Sequence, residues 1–397
     1  MAIPVPLHLA IALDGAGWHP AAWRTAAVPA HAYFGLRYWA DLAAEAEAAR
    51  IDYVSFEDEL AVQSPLPTGR DDRVDLFRGR FDAVQLAAGL TARTRHLGFV
   101  PVATTTHTEP FHASTAIATL DHVSTGRAGW QVRVSRNPSE ARNVGRRTIP
   151  EIEPSGVASA TKTRLRAELY REAEDFVEVS RRLWDSWEDD AVIRDLPTGR
   201  YLDRDRLHHV DFTGATFSVK GPSVVPRPPQ GQPPVAVLAH EHNAFVLAAR
   251  CADIAYVTPT DEHDAARLVE AIRAVEAEVG RREPGLKILA DLVVFVGADA
   301  ADRKARWDEL AGAPMTSDAA VFVGSPVELA ETVLRWQAGG IDGFRLRPGS
   351  HADDLIAVTR GLVPELQARG AFRTDYRSAT LRARFGLTRP ENRYAAA

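Results

Sequence analysis

The sequence predicts a (β/α)8 barrel with insertions, on three observations. Short apolar runs alternate with helix-like segments along most of the chain, and about eight of them read as strands, the number such a barrel needs. A chain of 397 residues at 45% hydrophobic content suits one barrel with a sizeable core. One unit shows the crossover directly: strand 96–102, a polar loop from Thr104, helix 111–123 with Ile117, Leu120 and Val123 at helical spacing, and strand 128–134. Parallel crossovers gather the residues just past each strand end on one rim, where α/β proteins place ligands. That rim would carry Thr104, Thr105, Thr106, His107, Gln131 and Ser135.

In chain order, the first strand is expected at Leu7 to Leu13, ending at Asp14-Gly15. The loop from Ala16 to Arg24 brings Trp18, His19 and Trp23 above the rim. The two tryptophans suit either the lining of an organic-substrate pocket or the anchoring of the loop. A helix over 35–49 leads to strand 52–56, which delivers Glu57, Asp58 and Glu59. Residues 61–78 are polar and punctuated by Pro and Gly, as lids over a barrel mouth often are. A helix over 81–91 precedes the crossover unit. Two insertions are expected, at about 136–162 and 190–234, within one domain spanning 1–397. The first would order on ligand binding. Between them a long amphipathic helix covers 163–187 and carries Tyr170. The second contains a hairpin signal over 209–219 and a stiff Pro-rich connector. Regular alternation then resumes: strands 235–239, 253–257, 287–296 and 343–346, with helices 243–251, 265–279, 300–310, 326–338 and 353–368. Ser325-Pro326-Val327-Glu328 reads as a capping box. The stretch from Arg369 is polar and basic and is expected to pack outside the barrel.

A net charge of −6 gives no electrostatic footprint for nucleic acid or anionic membrane. No apolar run approaches the length of a bilayer span, and the N-terminus lacks a basic leader. The single cysteine, Cys251, excludes an internal disulfide and fits a reducing cytoplasm. No G-x-S-x-G elbow anchors a triad, and no glycine-rich phosphate loop appears. Such a chain suits an enzyme that leaves the hard chemistry to a cofactor. His240 and His242, spaced by two around Glu241, lack the spacing of known zinc motifs, so no metal is assigned.

L-D-H-V-S-T-G-R-A-G-W at 120–130, followed by A-R-N-V-G at 141–145, resembles the bacterial-luciferase-like flavin monooxygenases, in the branch of nitrilotriacetate and dibenzothiophene sulfone monooxygenases. G-W-H-P-A-A-W-R, F-E-D-E-L, T-E-P-F-H, F-V-E-V, L-W-D-S-W-E-D-D-A and F-R-T-D-Y fall in the same order, so the resemblance spans nearly the whole chain. It implies a cytoplasmic homodimer that takes reduced FMN (FMNH2) from a separate NAD(P)H:flavin reductase. A flavin hydroperoxide formed with dioxygen would then oxygenate a small or medium organic substrate. It further implies cofactor contacts by Asp58, Thr104, Thr105, Gln131, Ser135, Tyr170 and His240, with His107 and His19 as candidate catalytic residues. His107 equally suits a hydrogen-bonded rim position. At 239–243, where the family has a small uncharged turn for the FMN phosphate, this chain has A-H-E-H-N. A glutamate there repels a phosphate unless it points away or is paired. His240, Tyr170 or Arg142 could then meet the phosphate, or a deazaflavin could replace FMN. A barrel that binds a ligand without redox chemistry is the third reading.

Overall fold

In the computed structural model eight apolar strands pair in parallel into a closed ring: β1 His8–Leu13, β2 Tyr53–Phe56, β3 Gly98–Thr104, β4 Trp130–Arg133, β5 Val235–Leu238, β6 Ile254–Val257, β7 Lys287–Val296 and β8 Gly343–Pro348. The structure describes residues 7–24, 28–64, 71–151, 160–282 and 284–395. β8 returns to β1 with Phe344 opposite Leu9, which closes the cylinder. Both strand faces are covered, outward side chains by helices and inward ones by each other, and this accounts for near-continuous apolar runs without alternation. The (β/α)8 expectation is met.

Strand β7 is long enough to serve two neighbours along one edge. Its first half pairs with β6, and Leu292–Val296 pairs with an extra parallel strand, Ala320–Gly324, which the sequence reading did not include. Between β4 and β5 stand helix Pro138–Val144, helix Ala160–Asp185 and two small hairpins, Val192–Asp195 with Arg200–Leu202 and Phe212–Thr213 with Ser218–Val219. Part of the first insertion, expected to order only with ligand, is therefore helical. Asn137 caps it, Pro138 begins it, and Gly145 ends it at φ 74°. Residues 152–159 of that insertion, and 65–70 of the expected lid, lie outside the described residues.

The C-terminal stretch corrects its expectation. Leu381, Phe385 and Leu387 are buried inside the barrel against Ala10, Tyr53, Val100, Ile254, Tyr256 and Leu289. They close the N-terminal end of the cylinder, and Gly98 and Gly129 stay free of side chains where Leu381 approaches. The basic residues that suggested an outer position pair inward: Arg373 with Asp52 and Arg382 with Asp253. With the floor sealed by these residues, the opposite mouth is the open end of the cylinder.

Candidate active site

The mouth is built by the residues that follow β1 to β5. Arg80 ties the first two ends together, with both terminal nitrogens engaged by Asp14 and Glu59. Beside it Asp58 carries a carboxyl that burial, then the neighbouring Asp82, pushes up to about 6. At the end of β3, Thr104 accepts from the Thr106 N–H at 3.2 Å and Thr106 from the Ser135 N–H at 2.9 Å, so the β3 and β4 loops form one stitched wall. Thr105 donates to the Arg133 carbonyl at 3.4 Å. Ser135 accepts from the Asn137 N–H. The hydroxyl protons of Thr104, Thr106 and Ser135 have no acceptor among the described residues.

His107 stands on this wall with its side chain fully buried and neither ring nitrogen hydrogen-bonded. The Glu140 carboxylate comes within 3.8 Å of Nε2, but its two oxygens hold Arg133 at 2.7 and 3.0 Å. Burial holds the imidazole below its ordinary pKa, opposed by Glu140 and reinforced by Arg147 and Arg133. A neutral, desolvated imidazole with free nitrogens can give or accept one proton at the mouth.

Gln131 lies deeper. Its carbonyl accepts from Arg345 at 2.5 Å, so only the amide nitrogen remains for a ligand. Arg345 and Arg347, two residues apart on β8, share Asp291 of β7, and Arg347 also holds Asp318. Arg345 covers the Tyr256 ring at 4.1 Å and Arg347 the Trp18 ring at 4.6 Å. This charged layer between floor and mouth escaped the sequence reading, although charges inside apolar runs at Asp291, Arg345 and Arg347 were its signal.

His19 has both ring nitrogens engaged and lines the smaller of two cavities beside Trp18. Its Nε2 meets Asp308 at 3.1 Å, its Nδ1 accepts from the Ala21 N–H, and its ring packs on Phe295 and Trp307. It positions the loop that carries Trp18. That tryptophan lines two adjoining cavities of about 180 and 340 Å³, which share Pro20, Gln63, Leu76 and Phe77. Trp23 lines neither and stands half-exposed beside Arg24.

On the far side of the mouth, Arg166 and Tyr170 share one face of helix 160–185 and meet Glu241, the residue before helix His242–Cys251. Glu241 Oε2 is 2.5 Å from Arg166. Burial, then the Glu241 charge, push the Tyr170 phenol up. His240 is exposed, and Arg142 turns away to Glu151 and Ser139. Among the described residues no group of three or more His, Cys, Asp or Glu could hold a metal, and no helix is long and apolar enough to cross a membrane.

A model of the luciferase-like monooxygenases matches residues 16–343. The chain belongs to this family. It is 30% identical to the N-acetyl-S-(2-succino)cysteine monooxygenase of Bacillus subtilis (strain 168), with 98% of each chain covered. It is 28% identical to component A of the nitrilotriacetate monooxygenase of Aminobacter aminovorans, again over 98% of each. The crystal structure of a long-chain alkane monooxygenase superposes with a TM-score of 0.82 at 25% identity, covering 96% of this chain and 95% of that one. As a member of the luciferase-like monooxygenases, the chain is a flavin-dependent monooxygenase.

Proposed function

We propose that the chain is the oxygenase of a two-component system that receives reduced FMN from a separate NAD(P)H:flavin reductase. When bound, the reduced flavin supplies the electrons that activate dioxygen, so that one oxygen atom enters the substrate and the other leaves as water. The observation that carries this reading is His107, a buried imidazole with two unpartnered nitrogens on a wall of hydroxyl donors. Such a wall fits the inner end of a flavin: Thr104, Thr106, Ser135 and the Gln131 amide would meet the acceptor-rich ring, Thr105 would line it with its hydroxyl turned to the Arg133 carbonyl, and Asp58 would lie at its edge. His107 would hold or move a proton at Nε2. Tyr170 and His240 would lie toward the tail of the cofactor.

The substrate would enter beside Trp18, where Leu76, Phe77 and Pro20 make an apolar wall fit for a small or medium organic molecule. Wall and loops together would exclude water from the reacting groups. The relatives named above are monooxygenases, so deazaflavin hydride transfer and a redox-inactive barrel have no comparable support. A homodimer in the reducing cytoplasm suits the family resemblance and the single cysteine; sedimentation tests the dimer. The decisive experiment gives the protein reduced FMN, isotopically labelled dioxygen and a panel of thioethers, amines and alkanes. Label in one product is expected. No label in any product, with reduced FMN reoxidising as fast as it does free, overturns the reading.

A further inference from the structure

We propose that Glu241 occupies the seat a flavin phosphate would need, so that this chain gains little affinity from the phosphate and takes flavins with and without it nearly alike. The inference rests on flavin binding at the mouth and adds to it which end of the cofactor is recognised.

The geometry is that of an anion site already filled from within. Arg166 and Tyr170 present a guanidinium and a phenol from one helix face, and the first turn of helix His242–Cys251 presents backbone N–H groups. Each of these elements attracts an anion, and together they are the chemistry that receives a phosphate. Here the anion belongs to the chain: Glu241 lies 2.5 Å from Arg166, with its side chain only 16% exposed. Its other oxygen, Oε1, is buried without a hydrogen-bond partner. A phosphate entering this space would have to share it with a carboxylate or expel the carboxylate from its ion pair, and like charges at such separations oppose each other strongly. Among the described residues one unpaired cation stands close by, Arg136, which acts on Tyr170 from the solvent side, and a solvated guanidinium offsets little of the charge of Glu241. The others are committed or solvated: Arg142 is engaged elsewhere, Arg147 is bound by Glu172 through both terminal nitrogens, and His240 is exposed to solvent. A neutral ribityl hydroxyl meets no such opposition and could donate to the free Oε1.

The test compares two cofactor forms on the whole protein. Reduced FMN and reduced riboflavin are titrated anaerobically into wild type, Glu241→Gln and Glu241→Ser, with tryptophan fluorescence as the readout and circular dichroism as the check on folding. In wild type the two dissociation constants should agree within about threefold, and both variants should shift their ratio toward FMN by about tenfold, with riboflavin almost unmoved. Arg166→Gln in the Glu241→Ser background should return the ratio toward unity, because the cation that then holds the phosphate is gone. A ratio that moves less than about fivefold between wild type and Glu241→Gln overturns the proposal. Binding of neither flavin by folded wild type is a different failure, and it removes the flavin site itself.

Discussion

At the scale of single residues, two buried histidines should behave oppositely to ordinary surface ones. His107 is held neutral by burial, so its part in turnover should persist at neutral pH and fade only below the ordinary imidazole value of 6.5. His107→Phe keeps the packing and removes both nitrogens. Product formation should drop by about a hundredfold while the dissociation constant for reduced flavin moves less than about threefold, with hydrogen peroxide released instead of product. Equal loss of flavin binding would make His107 a wall residue only. His351, hydrogen-bonded through Nδ1 to Tyr38 at 2.8 Å, is pushed down by burial to about 3 from 6.5. The unfolded chain takes up a proton on this ring below 6.5 and the folded chain does not, so this contribution to stability is present above that pH and is lost as pH falls toward 3. Comparing wild type with His351→Gln cancels the groups of opposite sign, such as Asp354. The wild type's stability relative to the variant should fall by about 3 kcal/mol between pH 7.5 and 4.5 in urea titrations. An unchanged difference would mean that the ring is hydrated in the fold.

At the scale of elements, the wall works because helix Pro138–Val144 returns Glu140 to the strand it follows. Glu140 is fully buried and binds Arg133 through both oxygens, and this pair is what keeps His107 from acquiring a partner of its own. Glu140→Ala would strand Arg133 and cost about 3 kcal/mol in chemical denaturation, while Glu140→Gln should lose less. A loss below about 1 kcal/mol would show that solvent already screens Arg133. The strands of this wall were legible in the sequence because buried parallel strands are continuous apolar runs. The helix was not, since its seven residues carry one Pro and four polar or charged side chains, and its stability comes from caps and the Glu140 pair rather than from an apolar stripe. Strand Ala320–Gly324 was missed although its signal was present: Ala319 to Val323 is a continuous apolar run as long as those read as strands elsewhere, and its partial burial shows only in the fold. Tyr170 was a candidate from the sequence, but Arg166, one turn earlier on the same face, acquires meaning only once Glu241 is folded against it.

At the scale of the whole molecule, the segment that best marks the family lies away from the mouth. Asp121 accepts from Ala128 N–H and from both the backbone and side chain of Gln230, and Arg127 donates to Ser124, Thr91, Thr94 and Leu97. These contacts fasten the approach to β4 and the Pro-rich connector beneath the barrel, so the motif reports architecture, and the chemistry has to be read from the other end. What couples the two ends is the charged layer of Asp291, Arg345 and Arg347. Asp291 is buried under two guanidiniums, one reaching Gln131 and the other stacked on Trp18. Asp291→Asn leaves both cations underpaired in a desolvated cylinder, and about 3 to 5 kcal/mol of stability should be lost in urea unfolding. Replacing all three by Asp291→Leu, Arg345→Met and Arg347→Met should recover most of that loss, since an apolar layer satisfies a barrel core as well as an ionic one. Activity should not return with it, because Gln131 and Trp18 would have lost the groups that orient them. If the triple variant regained turnover together with stability, the layer would be a filler of the cylinder and the mouth would owe its geometry to the loops alone.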